Sequence, residues 1–240
     1  MSFTFKQFHV EHDQCAMKVG TDSILLGAWA PIAPSNKALD IGCGSGLLCL
    51  ILAQRMGGTG QISGVEIDPQ AAAQARQNVA ASPWSEIIKV YQGDITKYYS
   101  EQLYDVIISN PPYFADSLQG PAARRNIARH NDNLTIKHLL HSVDGLLAKS
   151  GCFSLILPTK EGTEMIEQSG SSGLYLKRCS RVYTKPDKPV HRYLLTFVRE
   201  KNTAPEYSNL AIYDENNQYS NQFIALTHDF YLNRKGPTAI

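Results

Sequence analysis

The chain has 240 residues, a formal net charge of +1 and 43% hydrophobic residues. This size and composition suit one packed α/β domain and argue against a disordered chain. No apolar run approaches the ~20 residues of a membrane-spanning helix, and the first residues lack the basic and apolar regions of a secretory signal. We therefore expect a cytoplasmic protein that binds no membrane.

Near the N-terminus, apolar residues alternate with polar ones over residues 3–10, which predicts a short strand or hairpin. Thr21-Asp22 is a predicted N-cap for a helix over residues 24–29. Pro31 ends that helix because proline lacks the backbone N–H that a helix interior needs.

From residue 37 onward, short buried strands alternate with helices. The predicted strands are 38–41, 61–66, 87–91, 104–109 and 153–157, and the predicted helices are 47–55, one from Asp68-Pro69, 134–149 and 161–168. Gly151 is expected to end the helix over 134–149. This alternation predicts a parallel sheet with helices on both faces.

The last third of the chain departs from that alternation. Residues 174–183 and 192–199 are two β-rich runs joined by a short loop, which predicts an antiparallel hairpin. Residues 219–232 predict a docking helix after a polar stretch. The fold class is therefore α/β, a Rossmann-like and mostly parallel sheet with a C-terminal antiparallel hairpin. We expect a single domain with an N-terminal cap element (1–36), a catalytic core (37–200) and a C-terminal docking segment (201–240).

Five cysteines form an odd set without a Cys-x-x-Cys pair. This pattern predicts buried thiols in a reducing compartment, with neither a zinc cage nor a disulfide framework. We therefore expect no metal.

The charges are unevenly distributed although the total is close to zero. Residues 171–201 carry eight Lys or Arg and two acids, so the rest of the chain is net acidic. A basic patch on an otherwise acidic molecule is typical of a surface that binds the phosphates of a nucleic acid. An ordinary solvated hairpin is the alternative.

A glycine-rich turn follows the first strand of the alternating region, with Gly42, Gly44 and Gly46 directly after Asp40-Ile41. In an open parallel sheet, ligands bind beyond the carboxyl ends of the strands, and glycines let the backbone approach them closely. Glu66 ends the second strand, where an acid can bind both hydroxyls of a ribose. The sequence therefore predicts a nucleoside-type cofactor at this edge.

Three details distinguish S-adenosyl-L-methionine from a nicotinamide dinucleotide as the cofactor. The dinucleotide pattern Gly-x-Gly-x-x-Gly requires glycine at position 47, which is Leu47. Asp40 would repel a pyrophosphate, yet it suits the ammonium and sulfonium of S-adenosyl-L-methionine. Asp94, after the third strand, can accept a hydrogen bond from the adenine amine of that cofactor. Together these acids favour S-adenosyl-L-methionine over a nicotinamide dinucleotide.

Asn110-Pro111-Pro112-Tyr113 follows the fourth strand. A stiff turn is the simplest explanation, but it does not account for an amide and an aromatic ring at the ligand-binding edge. An exocyclic amine on an aromatic ring is a poor nucleophile. The side-chain carbonyl of Asn110 and the backbone carbonyl of Pro111 can accept its hydrogens and stabilise the developing charge. Tyr113 can stack on a flat base, and Phe114 can widen that platform.

Taken together, Asp-x-Gly-x-Gly-x-Gly, Glu66, Asp94 and the tetrad closely resemble the class I S-adenosylmethionine-dependent methyltransferases that modify planar amino or amide nitrogens. The resemblance covers residues 37 to about 200 and implies that fold and cofactor. Within this class, residues 18–22 resemble the N-terminal element that closes over the methionine end of the cofactor, which implies cofactor contacts for Lys18 and Thr21.

The resemblance also extends to substrate. With residues 128–131 after the tetrad and no added specificity domain, the chain is similar to the bacterial enzymes that methylate N6 of adenine 37 in valine tRNA, which implies the anticodon stem-loop as partner. An adenine there is unpaired, so splaying it into a pocket costs little. We favour a monomer. The candidate RNA contacts are Phe114, Arg124, Arg125, Arg129, His130, Lys185, Lys188 and Arg192.

Four alternatives remain open at this point. A protein glutamine-amide methyltransferase would use the same tetrad, usually with an N-terminal recognition domain. A DNA adenine methyltransferase would need a domain that reads the major groove. A nicotinamide dehydrogenase is opposed by Asp40 and Leu47. A noncatalytic RNA-binding module has no need of the tetrad.

Overall fold

The structure is a computed structural model that describes residues 1–34, 36–112, 134–201 and 204–232. Six predicted site residues lie outside this part of the chain: Tyr113, Phe114, Arg124, Arg125, Arg129 and His130.

A central sheet carries the fold. Over the described residues it has eight strands: β3 (Lys37–Ile41), β4 (Gln61–Glu66), β5 (Ile88–Gln92), β6 (Tyr104–Ser109), β7 (Leu147–Pro158), β8 (Tyr175–Tyr183), β9 (Val190–Val198) and β10 (Glu206–Ala211). Their spatial order is β10-β8-β9-β7-β6-β3-β4-β5. Only β9 runs antiparallel to its neighbours, β7 and β8. This confirms the predicted α/β class and the C-terminal hairpin.

Helices cover both faces of this sheet. They are α1 (Thr21–Trp29), α2 (Leu47–Arg55), α3 (Pro69–Ala80), α4 (Ile136–Leu146), α5 (Thr159–Ser169) and α6 (Asn221–Thr227), with single 3-10 turns at Ile95–Lys97 and Gly170–Ser172. Apolar side chains of α1, α2 and α3 form one core, and those of α4 form a second core. Burial on both faces explains why the strands read as continuous apolar runs rather than alternating ones.

The N-terminal segment forms the predicted hairpin, with β1 (Ser2–Thr4) antiparallel to β2 (His9–Glu11). The predicted N-cap of α1 is wrong. Gly20 is the N-cap, with an extended φ of −133°, and Thr21 is already helical. The Asp22 carboxylate is instead bonded to the guanidinium of Arg192, 2.9 Å away.

The predicted end of the helix before β7 is also wrong. Helix α4 ends at Leu146, and Gly151 lies inside β7 rather than at the helix terminus. A Cβ at Gly151 would be 2.9 Å from the carbonyl oxygens of Tyr104 and Asp105. Glycine is therefore needed for the close approach of β6, where the register between the two strands shifts.

Strand β10 was not predicted, because only Leu210 among its residues is buried. It pairs parallel with β8 and lies at one edge of the sheet. Helix α6 falls within the predicted docking segment, and Phe223 and Phe230 bury that segment against the core. No helix in the described ranges is long and apolar enough to cross a membrane.

Candidate active site

The sequence order of the strands reverses beside β3. The chain proceeds from β3 outward to β4 and β5, and then returns to β6 on the other side of β3. Ligands in open α/β sheets bind at this switch point, beyond the carboxyl ends of the strands. The glycine-rich turn follows β3 and Asn110 follows β6, so both lie at this place.

The glycine-rich turn has a backbone that other residues adopt with difficulty. Gly42, Gly44 and Gly46 have φ values of +73°, +52° and +80°. A Cβ at Gly42 or Gly44 would meet nothing within 4 Å, whereas one at Gly46 would lie 3.4 Å from the Cβ of Ala75. The first two glycines therefore present bare backbone to open space, and the third lets α3 approach closely.

A cleft of about 50 Å³ opens between this turn, the segment before α1 and the end of β6. Its lining residues are Met17, Lys18, Val19, Ser23, Gly42, Cys43, Gly44, Ser45, Leu47, Leu48 and Asn110. Four of them were predicted as site residues: Lys18, Gly42, Gly44 and Asn110. A larger hollow of about 360 Å³, lined by Gln7, Gln54, Arg55, Asp229 and Phe230, contains no glycine turn and no strand end.

Glu66, at the end of β4, stabilises the glycine-rich turn through hydrogen bonds. Its Oε2 accepts a hydrogen bond from the Gly44 amide at 2.8 Å, and its Oε1 accepts one from the Asp68 amide at 2.9 Å. Burial raises the pKa of this carboxyl, since only 9% of the residue is exposed. A carboxylate has about four lone-pair positions, so Glu66 can also accept a hydrogen bond from a ribose hydroxyl.

Asp40 lies beneath the turn and is completely buried. Burial raises the pKa of its carboxyl from the usual 3.8 to about 7. Its Oδ2 accepts a weak hydrogen bond from Cys49 Sγ at 3.4 Å, and its Oδ1 has no hydrogen-bond partner among the described residues. A buried, incompletely bonded carboxylate is stabilised by a nearby cation. Asp40 therefore suits a site that would hold a sulfonium or ammonium nearby.

Asp94 and Thr21, like Asp40, Gly46 and Glu66, are not among the residues that line the cleft. Asp94 caps the 3-10 turn: its Oδ1 accepts from the backbone N–H and the hydroxyl of Thr96, at 2.9 and 2.8 Å. The Gly93 amide donates to the carbonyl of Glu66 at 2.8 Å, which sets Asp94 beside the end of β4. Thr21 is exposed at the start of α1. Cofactor contacts by Asp94 and Thr21 stay predictions.

The segment before α1 is held in place by its own hydrogen bonds. Lys18 Nζ donates to the carbonyls of His12 and Asp13, at 2.9 and 3.2 Å. His12 Nδ1 accepts from the Val19 amide at 2.7 Å. Burial lowers the pKa of His12, which keeps this nitrogen neutral and able to accept.

Two buried amides of α3, which the sequence analysis missed, tie this N-terminal segment to the glycine-rich turn. Asn78 Nδ2 donates to the carbonyls of Glu11 and Ser45, both at 2.8 Å. Gln74 Oε1 accepts from the Gln14 amide at 3.0 Å. Amides four residues apart on the inner face of an alanine-rich helix were the available signal, because buried polar groups need partners.

Asn110 forms the wall of the cleft at the end of β6. Its Nδ2 donates to Ser23 Oγ at 2.8 Å, and its Oδ1 has no hydrogen-bond partner among the described residues. Pro111 is buried and Pro112 half-buried. An amide carbonyl thus remains available beside the glycine-rich turn. Ser23 was not predicted, because no local pattern links α1 to the end of β6.

The predicted basic residues after β8 lie on the side of the sheet where the parallel strands have their carboxyl ends, as the glycine-rich turn does. Strand β8 runs in the same direction as β3, so the turn between β8 and β9 follows its carboxyl end. Lys188 forms an exposed ion pair with Asp187 at 3.3 Å. Arg192 is paired with Asp22 through a contact in which 14% and 25% of the two side chains are exposed. Lys185 and Lys188 fit the predicted phosphate surface, whereas the charge of Arg192 is already compensated.

Solved structures share this architecture. A predicted O-methyltransferase from Agrobacterium tumefaciens superposes with a TM-score of 0.68 at 16% identity, over 87% of this chain and 96% of that one. The glycopeptide N-methyltransferase MtfA in complex with S-adenosylmethionine has a TM-score of 0.55 at 14% identity, over 76% and 89% of the two chains. These structures share with this chain the Rossmann-like α/β fold, in which a mostly parallel sheet is covered by helices.

Proteins of similar sequence identify the family of this chain. The family model for the methyltransferase small domain matches residues 15–145. A protein of Histophilus somni is 48% identical over 96% of this chain and 97% of its own length, and one of Yersinia pestis is 44% identical over 96% and 94%. Both are named tRNA1(Val) (adenine(37)-N6)-methyltransferase. The chain belongs to the methyltransferase small domain family and, within it, to the family of these relatives.

Proposed function

We propose that this protein transfers a methyl group from S-adenosyl-L-methionine to N6 of an unpaired adenine in tRNA, namely adenine 37 beside the anticodon of a valine tRNA. The observation that carries this proposal is the amide of Asn110 in the wall of the cleft that Gly42 and Gly44 line. A hydrogen-bond acceptor for an amine thereby lies beside a turn suited to a nucleoside cofactor.

The cofactor assignment is supported by three groups. The bare backbone of Gly42 and Gly44 allows close approach of a ligand. Glu66 is fixed by two backbone amides and keeps lone pairs for ribose hydroxyls. Asp40 supplies a buried negative charge beneath the site. When bound, S-adenosyl-L-methionine supplies an electrophilic methyl group on a positively charged sulfur.

The catalytic role falls to Asn110 and Pro111. The side-chain carbonyl of Asn110 and the backbone carbonyl of Pro111 each accept one hydrogen of the adenine amine. These bonds favour a more tetrahedral nitrogen, whose lone pair then points at the methyl group, and they stabilise the positive charge that develops. After transfer, the nitrogen loses one proton to solvent. Positioning supplies most of the rate, so no general base is needed.

The choice of tRNA as substrate draws on the relatives, which are named for adenine 37 of tRNA1(Val) and are matched over nearly their whole length. Lys185 and Lys188 at the cofactor edge of the sheet are suited to phosphates. All five cysteines are free thiols, which fits the reducing cytoplasm where tRNA is modified.

The experiment is methyl transfer from radiolabelled S-adenosyl-L-methionine to separate fractions of tRNA, DNA and protein from a strain that lacks this gene. We expect label in tRNA, released as N6-methyladenosine after digestion. Label in protein as methylglutamine, or in duplex DNA, would replace the proposed substrate while leaving the methyl-transfer chemistry intact. No label in any fraction would contradict the proposal.

A further inference from the structure

Ser23, in the first turn of α1, contacts the amide of Asn110. We propose that Ser23 is a positioning residue: its hydroxyl binds the NH2 end of the Asn110 amide and so turns the carbonyl end toward the methyl acceptor. This inference rests on the proposed function, because it concerns the same amine-binding site.

The contact joins two parts of the chain that are 87 residues apart, with Asn110 Nδ2 and Ser23 Oγ separated by 2.8 Å. Both residues are half-buried and both line the cleft. Ser23 is therefore part of the site wall and not of the distant scaffold.

The two ends of an amide have opposite hydrogen-bonding character. The carbonyl oxygen of Asn110 accepts a hydrogen from the substrate amine, whereas its NH2 end would face that amine with like donors. When the substrate closes the site, the NH2 group needs an acceptor elsewhere, because a buried donor without a partner is unfavourable. Among the described residues, Ser23 Oγ is the acceptor that the structure provides.

The position of the Ser23 hydroxyl is fixed by the packing of α1. The next three residues of the helix, Ile24, Leu25 and Leu26, are buried in the core. Asp22, one residue earlier, is paired with Arg192 at the start of β9. The first turn of α1 thus connects the end of β6 to the start of β9, and the Ser23 hydroxyl is held in place by both contacts.

The matched variants are Ser23→Val and Ser23→Thr. Threonine keeps the hydroxyl and valine replaces it with a methyl group, while the two side chains share the same branched shape and similar helix propensity. Any difference between them therefore reports the hydrogen bond. The rate is measured in a single turnover at saturating tRNA and S-adenosyl-L-methionine, and cofactor affinity is measured separately by calorimetry.

We expect Ser23→Val to lower the single-turnover rate about tenfold relative to Ser23→Thr, as the loss of one oriented hydrogen bond predicts. The dissociation constant for the cofactor should agree within about twofold between the variants. Equal rates for Ser23→Val and Ser23→Thr would overturn the inference.

A second measurement keeps this inference separate from the proposed function. In protein labelled with ¹⁵N-asparagine, the side-chain NH2 signal of Asn110 is identified by its absence from Asn110→Ala. We expect that signal to shift in Ser23→Val and to stay close to wild type in Ser23→Thr. Identical spectra for the two variants would refute the contact even if tRNA were not the substrate. Conversely, a spectral shift without tRNA methylation would count against the proposed function alone.

Discussion

Asp22 Oδ2 and Arg192 Nε form an ion pair of 2.9 Å that joins the first turn of α1 to the start of β9. Because 14% of the Arg192 side chain and 25% of the Asp22 side chain are exposed, the pair is only partly screened by solvent. It holds the turn that carries Ser23, and it gives Arg192 a structural partner, while the predicted contact of Arg192 with RNA phosphate stays a prediction.

Neutralising either partner should therefore have the same effect. We expect Asp22→Asn and Arg192→Gln each to lower the free energy of unfolding by about 1–2 kcal/mol, and the double variant to lose little more than either single one. Urea denaturation measures this coupling. If Arg192 bound RNA phosphate instead, Arg192→Gln alone would raise the Michaelis constant for tRNA, and Asp22→Asn would not.

The glycine-rich turn can be tested with a matched pair of substitutions. Gly44 and Gly57 both have positive φ, +52° and +64°, and a Cβ at either would meet nothing within 4 Å. Gly44→Ala and Gly57→Ala should each cost about 1–2 kcal/mol of stability from the backbone conformation. Of these two glycines, Gly44 lines the cleft and Gly57 does not. We therefore expect Gly44→Ala, but not Gly57→Ala, to weaken cofactor binding. Equal effects on the cofactor dissociation constant would show that Gly44 does not face the ligand.

Asp40 predicts a pH dependence of stability. Its pKa in the folded protein, about 7, is above its usual value of 3.8. The stabilising effect of protonation is therefore complete below about pH 4 and is lost as the pH rises through 7. Asp40→Asn, which cannot ionise, should raise the melting temperature of the ligand-free protein more at pH 8 than at pH 5. A difference that is the same at both pH values would indicate that Asp40 has an ordinary pKa.

The same carboxylate predicts a pH dependence of cofactor binding. A bound sulfonium or ammonium favours ionised Asp40, so the affinity for S-adenosyl-L-methionine should rise between pH 6 and 8. Calorimetric titration should show this rise in the wild type and its loss in Asp40→Asn. A parallel rise in both proteins would assign the dependence to another group.

The basic turn between β8 and β9 predicts a salt-dependent contact with tRNA. Reversing the charge in the double variant Lys185→Glu/Lys188→Glu should raise the Michaelis constant for tRNA and flatten its dependence on salt, because fewer counterions are released. Lys89→Glu is the control. Lys89 is exposed on β5, the outermost strand on the side of the sheet farthest from β8 and β10. If the double variant and the control behave alike, the turn is ordinary solvated surface.

Elements with strong local signals were predicted to the residue. Strands 61–66 and 104–109 and helix 47–55 match the structure because glycine, proline or charged residues bound each apolar run. The start of β7 at Leu147 was missed, since Leu147 pairs with Tyr104 of β6 across a register shift that no local sequence pattern indicates. The same holds for β10, an edge strand with one buried residue.

In the candidate site, too, residues in local motifs were predicted, whereas residues that act through long-range contacts were not. Gly42, Gly44 and Asn110 were identified from the sequence because each belongs to a short motif of neighbouring residues. In the structure all three line one cleft. Ser23 and Asn78 act through contacts with chain segments 87 and 33 residues away. The spacing of Gln74 and Asn78 indicates that their amides need partners, but it does not say which residues those partners are, and no local pattern marks Ser23.

The most direct test of the account compares two transcripts of the valine tRNA anticodon arm that differ only at position 37. Each is incubated with S-adenosyl-L-methionine and either wild type or Asn110→Ala, and modified nucleosides are mapped by mass spectrometry. We predict N6-methyladenosine at position 37 of the adenine transcript with wild type only, none on the guanine transcript, and unchanged cofactor binding by Asn110→Ala. Methylation of both transcripts, or full activity of Asn110→Ala, would contradict the account.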